Sequence, residues 1–596
     1  MSKRAVLVGA LIAAAIVACA GSPARSPQPV SQVGTVSSNV LRADYAGSEA
    51  CARCHGELVE HWRRSPMHNM TRELPAAVVL APFSGTALRF KGDRVDLEQH
   101  GDARFVRVTS ARFGDALYRV TRVIGGHHRE DFAGIEVKDV SAVPAREAGD
   151  ELILPVSYLI EAKRFRYKGY SVMSKERPGL RAGPVWARTC ILCHNTAAQL
   201  TGLLATLPRR ERGAYQGVAV DASLPSTLRW RTEIVDVHAL DGALKDEIDH
   251  LGGNADTDAL VDRAITVTRE RFSPKDLVEV GIGCEACHGG SKAHAADPGV
   301  HTSLLPQGAG VRVAPPGDAA SVHAQSVTRA CARCHQVLFS HYPYTWEGGR
   351  RDQNPGGSNI SSGEARDFLL GSCASRATCT DCHDPHAEDN GARARTFETP
   401  AGDAVCVRCH AKYSGAAAQR AHTHHDPDKP GGRCVACHMP QKNMSLDGDL
   451  GRYHRIGSPT DAPKSADRPL ECALCHGDKS VGAVLDDMER LFGKTFDRAV
   501  ERELYGSLDV NVLEATLAKG KPHEKAVALH LLGERRVRGQ ARAIAAELVG
   551  EYPLVRTYAD VALAKIFGTS SPMDLNTEDD EIRVQAAAWL SKENVP

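Results

Sequence analysis

The chain is 596 residues long, with 73 Lys and Arg against 73 Asp and Glu, 42% hydrophobic residues and 18 cysteines. That length accommodates about three or four domains of ordinary size, and a formal charge of zero removes any general case for nucleic-acid binding, because no basic excess exists to neutralise phosphates. Eighteen cysteines are too sparse for a disulfide-stapled miniprotein and too many for a routine cytosolic enzyme, so they need a chemical role.

Residues 1–19 begin with Lys3 and Arg4 and continue as an uncharged apolar run from Ala5 to Ala18, too short to span a bilayer and ending in small residues. This is the pattern of an export signal. Ile16-Val17-Ala18-Cys19 reads as a lipobox with Cys19 as the lipidated first mature residue, and Ala18-Cys19-Ala20 also fits a plain A-x-A cleavage site. Residues 20–44 are rich in Ser and Pro, the composition of a flexible tether. No later segment has 18 consecutive apolar residues, so the expectation is a lipid-anchored chain facing the periplasm or cell surface.

Residues 45–200 contain the first two C-x-x-C-H motifs, at 51–55 and 190–194, and between them runs of strand-like alternation. TALRFKGDRVDLEQ, ARFVRVTSARF and ALYRVTRVIGG alternate apolar and polar residues around turn residues, and ELILPVSYLI adds a branched apolar run, predicting a small antiparallel β insert at about 80–170. Residues 201–480 hold the other six motifs, at 284–288, 331–335, 379–383, 406–410, 434–438 and 472–476. Short helices and Gly/Pro loops wrapped on cofactors are expected there. Residues 481–596 lack cysteine and show helical periodicity at Ile544, Ala545 and Leu548, then Leu554, Tyr558 and Val561, with Pro553 and Gly568 as punctuation. This predicts a HEAT-like helical module acting as a packing cap or a docking surface. The fold class expected is mainly α with extensive loops, packed around eight haems.

The motif states its chemistry. Two thiols add across the vinyl groups of a haem, and the adjacent histidine becomes the proximal iron ligand. The anchors are therefore Cys51 and Cys54, Cys190 and Cys193, Cys284 and Cys287, Cys331 and Cys334, Cys379 and Cys382, Cys406 and Cys409, Cys434 and Cys437, and Cys472 and Cys475. The proximal ligands are His55, His194, His288, His335, His383, His410, His438 and His476. Zinc sites do not require histidine after every second cysteine, and a thioredoxin-like site has one motif. The expected cofactors are eight covalently bound haem c. Cys373 has no obvious partner.

With 26 histidines and 8 methionines, supply favours bis-histidine ligation and low reduction potentials. The distal candidates are His68, His127 or His128, His294, His323, His341, His386, one of His422, His424 and His425, and His454; of the alternatives, His128 and His425 are preferred. His386 lies three residues after His383 and His294 six after His288, too close to reach the opposite face of the same haem, so each would serve a neighbouring one. His100, His238, His250, His523 and His530 sit in ordinary polar or helical contexts. Two ionised propionates on each haem add roughly −8 to −16 to the neutral chain, depending on oxidation state, so the holoprotein favours basic patches on its partners.

YAGSEACARCH followed by HWRRSPMH resembles the opening of multihaem cytochromes of the cytochrome c-552/4 type. VGIGCEACHGGSKAH, CTDCHDPHA, HTHHDPDKPGGRCVACHMP and YHRIGSP resemble the same group, over roughly residues 45–478. These relatives include the tetrahaem cytochrome of ammonia oxidisers and, more distantly, hydroxylamine oxidoreductase and pentahaem nitrite reductase. The resemblance implies periplasmic or surface electron transfer through closely packed haems and supports His68, His294, His386 and His454 as distal ligands. Nitrite reductase holds its catalytic haem through C-x-x-C-K, whereas every motif here ends in histidine.

The leading function is extracytoplasmic single-electron transfer along mostly bis-histidine haems, with other cytochromes or a membrane electron-transfer complex as partners. The alternative is an oxidoreductase with one open haem acting on a small nitrogen or sulfur compound, for which HYPYTWEGGRR at 341–351 offers a pocket-like mixture. A third reading makes the chain a subunit docked through residues 483–596.

Overall fold

The computed structural model describes residues 35–141, 149–169, 173–204, 206–208, 220–336, 342–346, 363–389, 391–445, 448–459 and 466–595. The signal and lipidation readings, with Cys19, and the candidate His341 lie outside the described residues. Where the description begins, the chain is already packed: Val36 and Val40 are buried, and the backbone N–H groups of Val36 and Asn39 donate to the carbonyls of His301 and Gln307 at 2.9 and 3.0 Å.

Helix α1 (Ser48–Arg63) carries the first motif and is broken at His55, whose φ and ψ of −114° and 36° leave the helical region. Eight strands follow: β1 (Thr71–Glu73), β2 (Gly85–Phe90), β3 (Asp93–His100), β4 (Ala103–Thr109), β5 (Ala116–Gly125), β6 (Arg129–Val137), β7 (Leu152–Leu159) and β8 (Arg164–Tyr167). They pair antiparallel in the order β2-β3-β4-β5-β6-β7-β8. β1 takes the part of β5 that β4 leaves free, with Thr71 opposite Ile124. Alternate residues such as Phe90, Val95, Leu97, Val106, Val108, Tyr118, Val120, Phe132, Leu154 and Val156 enter one buried cluster, and the sheet curls to enclose it, bringing β2 near β8.

This overturns the mainly α expectation. Helix accounts for 43% and strand for 16%, and the strands form a nearly closed antiparallel barrel rather than a small insert. The physical reason is closure: local alternation marks single strands and their hairpins, but only the approach of β2 to β8, at the two ends of the segment, makes a barrel. The helices of the motif-rich region are also mostly single turns, such as Cys284–His288, Cys379–Cys382 and Cys434–His438.

The barrel carries a buried charge cluster. Asp131 accepts from Ser157 Oγ at 2.5 Å, pairs with Lys168, and lies 3.2 Å from Arg129 Nε. Burial pushes its carboxyl up, but the two cations and these hydrogen bonds together outweigh that and hold it at about 2. A depressed carboxylate contributes stability that is complete above its unfolded pKa and vanishes as pH falls through the folded value. The barrel is therefore expected to lose ~2 kcal/mol between about pH 4 and pH 2 through this residue. Acid titration followed by circular dichroism checks this, and in Asp131→Asn that part of the pH dependence disappears.

Beyond the barrel lie β9 (Arg231–Ile234), α2 (Val237–His250), α3 (Leu260–Arg271), the hairpin β10 (Gln307–Gly308) and β11 (Val311–Ala314), and α4 (Ala319–Ala332). β11 pairs with β9. Asp236 caps α2 by accepting from Ala239 N–H, and Asp318 caps α4 through Ser321 N–H. Leu240, Leu244 and Ile248, four residues apart along α2, share a core with Ala264 and Val267 of α3 and with Trp186, Ile191 and Trp230.

After the hairpin β12 (Gln441–Met444) and β13 (Leu450–Arg452), the chain ends in seven helices: α5 (Val481–Phe492), α6 (Arg498–Tyr505), α7 (Val512–Lys519), α8 (Pro522–Glu534), α9 (Ala541–Ala546), α10 (Pro553–Phe567) and α11 (Asp579–Lys592). Ser480, Asp497 and Asn511 cap α5, α6 and α7 with their side chains, prolines open α8 and α10, and Gly493, Gly506 and Gly568 close α5, α6 and α10 in the left-handed region. These helices share one core with Tyr342, Trp346, Met444, Tyr453, Leu470 and Ala473 of the motif-bearing region. They also meet the barrel, where Lys91 N–H donates to Asn576 at 2.7 Å and Arg556 bridges Glu176 and Asp579.

Candidate haem centres

Each motif forms one helical turn, within the longer helix α1 at 51–55 and at the end of α4 at 331–335, and the backbone N–H of the motif histidine closes the turn on the carbonyl of the first cysteine. His335 donates to Cys331 at 2.9 Å, His383 to Cys379 at 2.9 Å, His410 to Cys406 at 3.0 Å and His476 to Cys472 at 2.8 Å. One turn puts the two thiols and the following imidazole on one side, the arrangement that thioether attachment requires. No disulfide forms among the described cysteines.

The imidazoles come together in facing pairs. His55 faces His294 with ring centres 6.3 Å apart, His288 faces His386 at 6.2 Å, and His383 faces His454 at 6.4 Å. His438 faces His422 at 6.1 Å and His476 faces His425 at 5.9 Å. Two imidazoles bound to one metal from opposite sides, with bonds near 2 Å, have ring centres roughly 6 Å apart, so these pairs fit an iron between them. Backbone carbonyls orient the rings: Nδ1–H donates to Val300 O from His294 (2.9 Å), to Gly457 O from His438 (3.0 Å), to Thr423 O from His425 (2.6 Å) and to Arg452 O from His454 (3.0 Å). That fixes the tautomer in which Nε2 is free to bind. Burial lowers His194 to about 4 and pushes His288, His422 and His476 below the ordinary value, towards the neutral, ligating form, whereas the hydrogen bond to the Glu364 carboxylate raises His335 to about 9.

His294 and His386 thus meet motif histidines other than their own neighbours, His55 and His288. Both His422 and His425 take part, whereas sequence reasoning allotted one partner to that run. His424, in the left-handed conformation at φ 57°, turns the chain between them and lies against Phe492. The i, i+3 spacing of His422 and His425 around a helix end is the signal that was available.

The other distal candidates are placed differently. His68 packs on Trp62 at 4.3 Å with its Nδ1 buried and without a partner. His128 lies at the β5–β6 turn, 3.9 Å from Glu161 and against His127, and His323 is exposed on α4. Among the described residues no imidazole faces His194, His335 or His410. His335 Nδ1 lies 3.8 Å from Glu364, and His194 Nδ1 is buried without a partner. Four of the five histidines read as ordinary have other partners: His250 with Asp276, His530 with Gly448 O, His100 with Glu98, and His523 with Tyr342, whose hydroxyl lies 2.5 Å from Nδ1.

Thiols of different motifs touch. Cys51 meets Cys284, Cys193 meets Cys334, Cys331 meets Cys379, and Cys406 meets Cys434. Cys382 lies near Cys406, and Cys437 near Cys472. Cys373 is half-buried beside Cys406 and Cys409, and burial raises its thiol.

Residues 373–415 match the doubled CXXCH motif family, a span holding the fifth and sixth motifs. The chain is similar, at 15% identity and a TM-score of 0.37 over 88% of its own length and 100% of the other, to a crystal structure of the outer cell wall cytochrome OcwA. No curated protein matches it. The doubled motif, repeated in six further copies of C-x-x-C-H, is a site for covalently bound haem c, the chemistry of a multihaem c-type cytochrome.

Proposed function

We propose that the chain is an octahaem c-type cytochrome that carries single electrons outside the cytoplasm, held to a membrane through a lipid on Cys19. The observation that carries this reading is the set of five facing imidazole pairs, each joining a motif histidine to one from another segment. Haem c bound at these positions supplies a one-electron ferric/ferrous couple. The chain's own residues do the rest. Paired cysteines fix each group covalently. His294, His386, His422, His425 and His454 act as distal ligands, and the carbonyls behind His294, His425 and His454 hold the orientation of those rings through a change of iron charge.

The thiol contacts support a spatial order in which the motif at 51–55 adjoins that at 284–288, and the motif at 331–335 adjoins both 190–194 and 379–383. From there 406–410, 434–438 and 472–476 follow in turn. His386 stitches 379–383 to 284–288 across this order. Such an order gives a continuous route with one branch and needs no acid–base residue. Its partners are redox proteins, other cytochromes or a membrane electron-transfer complex, that dock by basic patches.

The test is stoichiometry. Pyridine haemochrome absorbance against protein mass, with intact-mass measurement, is expected to give eight covalent haems per chain. A reproducible value below eight in fully matured protein overturns the octahaem assignment.

A second reading, an open haem acting on a small nitrogen or sulfur compound, draws on His194, His335 and His410. The His194 surroundings are the most suggestive, since Lys168 and Arg129 from the barrel lie near it and Arg129 Nη1 is buried without a partner. Loss of a high-spin signal on adding hydroxylamine or nitrite would favour that reading over the carrier.

A further inference from the structure

An exposed aliphatic patch lies where the N-terminal segment joins the fold. Ile234, Val235 and Val237, at the end of β9 and the start of α2, are 45%, 59% and 58% exposed. Three exposed branched aliphatics within four residues are unusual on a surface whose other exposed aliphatics are single or, at Val78 and Leu80, paired. The patch is fixed in place: the N–H groups of Val235 and Asp236 both donate to Gly310 O, at 2.8 and 3.1 Å, and Asp236 caps α2.

The same hairpin receives the start of the described chain. Ser38 packs against Gly308, two residues from Gly310, while Thr35 bridges to His301 and Val36 bonds the same residue. Thr35 follows Cys19 by 16 positions. That length of chain reaches at most about 55 Å. A lipid on Cys19 therefore keeps this face of the molecule close to the bilayer. The charges around the patch cancel: Arg231 and Arg312 stand against Glu233 and Asp236, with Arg312 and Glu233 paired at 2.6 Å. Attraction at this face is thus apolar rather than electrostatic.

We infer that Ile234, Val235 and Val237 form a membrane-contacting patch that seats in the headgroup–acyl boundary of the bilayer holding the Cys19 anchor. The inference rests on the proposed lipidation. It deepens that reading by fixing how the molecule sits, because residues 38–48 lead directly from this face to the first and third motifs. Gly290 packs on Asp44, and Glu285 accepts from the backbone of Ala46 and Gly47. The 51–55 end of the haem order is then membrane-proximal. An interfacial contact of this kind depends on buried apolar area.

The test uses the full-length, acylated holoprotein on vesicles of phosphatidylethanolamine and phosphatidylglycerol that contain a phospholipid with a photoactivatable diazirine near the glycerol end of its acyl chain. Labelled peptides are expected to centre on 231–240, at any salt concentration. The triple change Ile234→Ser, Val235→Ser and Val237→Ser is expected to cut that labelling at least fivefold, while flotation and haem absorbance stay unchanged because the acyl anchor and the core are intact. Acylated, floating protein labelled elsewhere or evenly over its surface overturns the patch and leaves the anchor standing, as does sedimentation showing a dimer that buries these residues. An N-terminal peptide without lipid on Cys19, from protein that does not float, overturns the anchor reading itself.

Discussion

Replacing His454 by methionine is expected to raise the reduction potential of one haem by on the order of 0.1 V, within the roughly 0.8 V range that axial ligands set. The direction follows from ligand chemistry, since a thioether favours ferrous iron more than imidazole does and His/Met ligation lies at higher potential. The choice of residue follows from geometry: His454 faces His383 at 6.4 Å, and its Nδ1–H is held by Arg452 O at 3.0 Å. Spectroelectrochemical titration reads the shift. His530→Met is the control, because His530 bonds Gly448 O among the C-terminal helices and faces no motif histidine. Equal titration curves for His454→Met and the parent protein would remove His454 from the ligand set.

Glu524→Ala is expected to cost about 3–5 kcal/mol, the range for breaking a buried ion pair on one side. Glu524 is fully buried and accepts from Arg468 N–H at 3.1 Å, Arg468 Nε at 3.0 Å and Lys521 N–H at 2.7 Å. Without it the Arg468 guanidinium stays in the interior with its charge uncompensated. The loss is felt beyond the helices, because the segment from Asp467 to Leu470, tied to α6 by the Leu470 N–H bond to Tyr505 Oη at 3.1 Å, leads into Cys472 and Cys475. Thermal unfolding followed by far-ultraviolet circular dichroism checks the cost. Glu524→Gln, which keeps the acceptor oxygen but leaves the cation unneutralised, is expected to fall between the two.

The motifs were legible because attachment chemistry is local: two thiols and a histidine within five residues specify a haem wherever the chain goes. Several strands were legible for the same reason. The alternation of TALRFKGDRVDLEQ became β2 and β3, and ELILPVSYLI became β7. The barrel was not, because β6, with its near-continuous buried run from Glu130 to Ile135, carries no period-two signal, and closure depends on pairings between distant segments. A mainly α fold was expected, but most helices of the motif-rich region end after four or five residues, at or beside the motif histidine.

The histidine partners divide in the same way. Spacing alone argued that His294 and His386 serve haems other than their own neighbours, and each faces a distant motif histidine. Which distant one it faces was set by tertiary packing, as was the use of both His422 and His425. His523 looked ordinary in sequence, and its burial beneath Tyr342 and Trp346 makes it part of the seam that joins the C-terminal helices to the rest of the chain.

Low-temperature electron paramagnetic resonance of the fully oxidised protein tests the central claim most directly. Five facing imidazole pairs predict at least five low-spin ferric haems, leaving at most three that can contribute a high-spin signal. Integrated high-spin intensity above three haems per chain would contradict the bis-histidine electron-transfer chain.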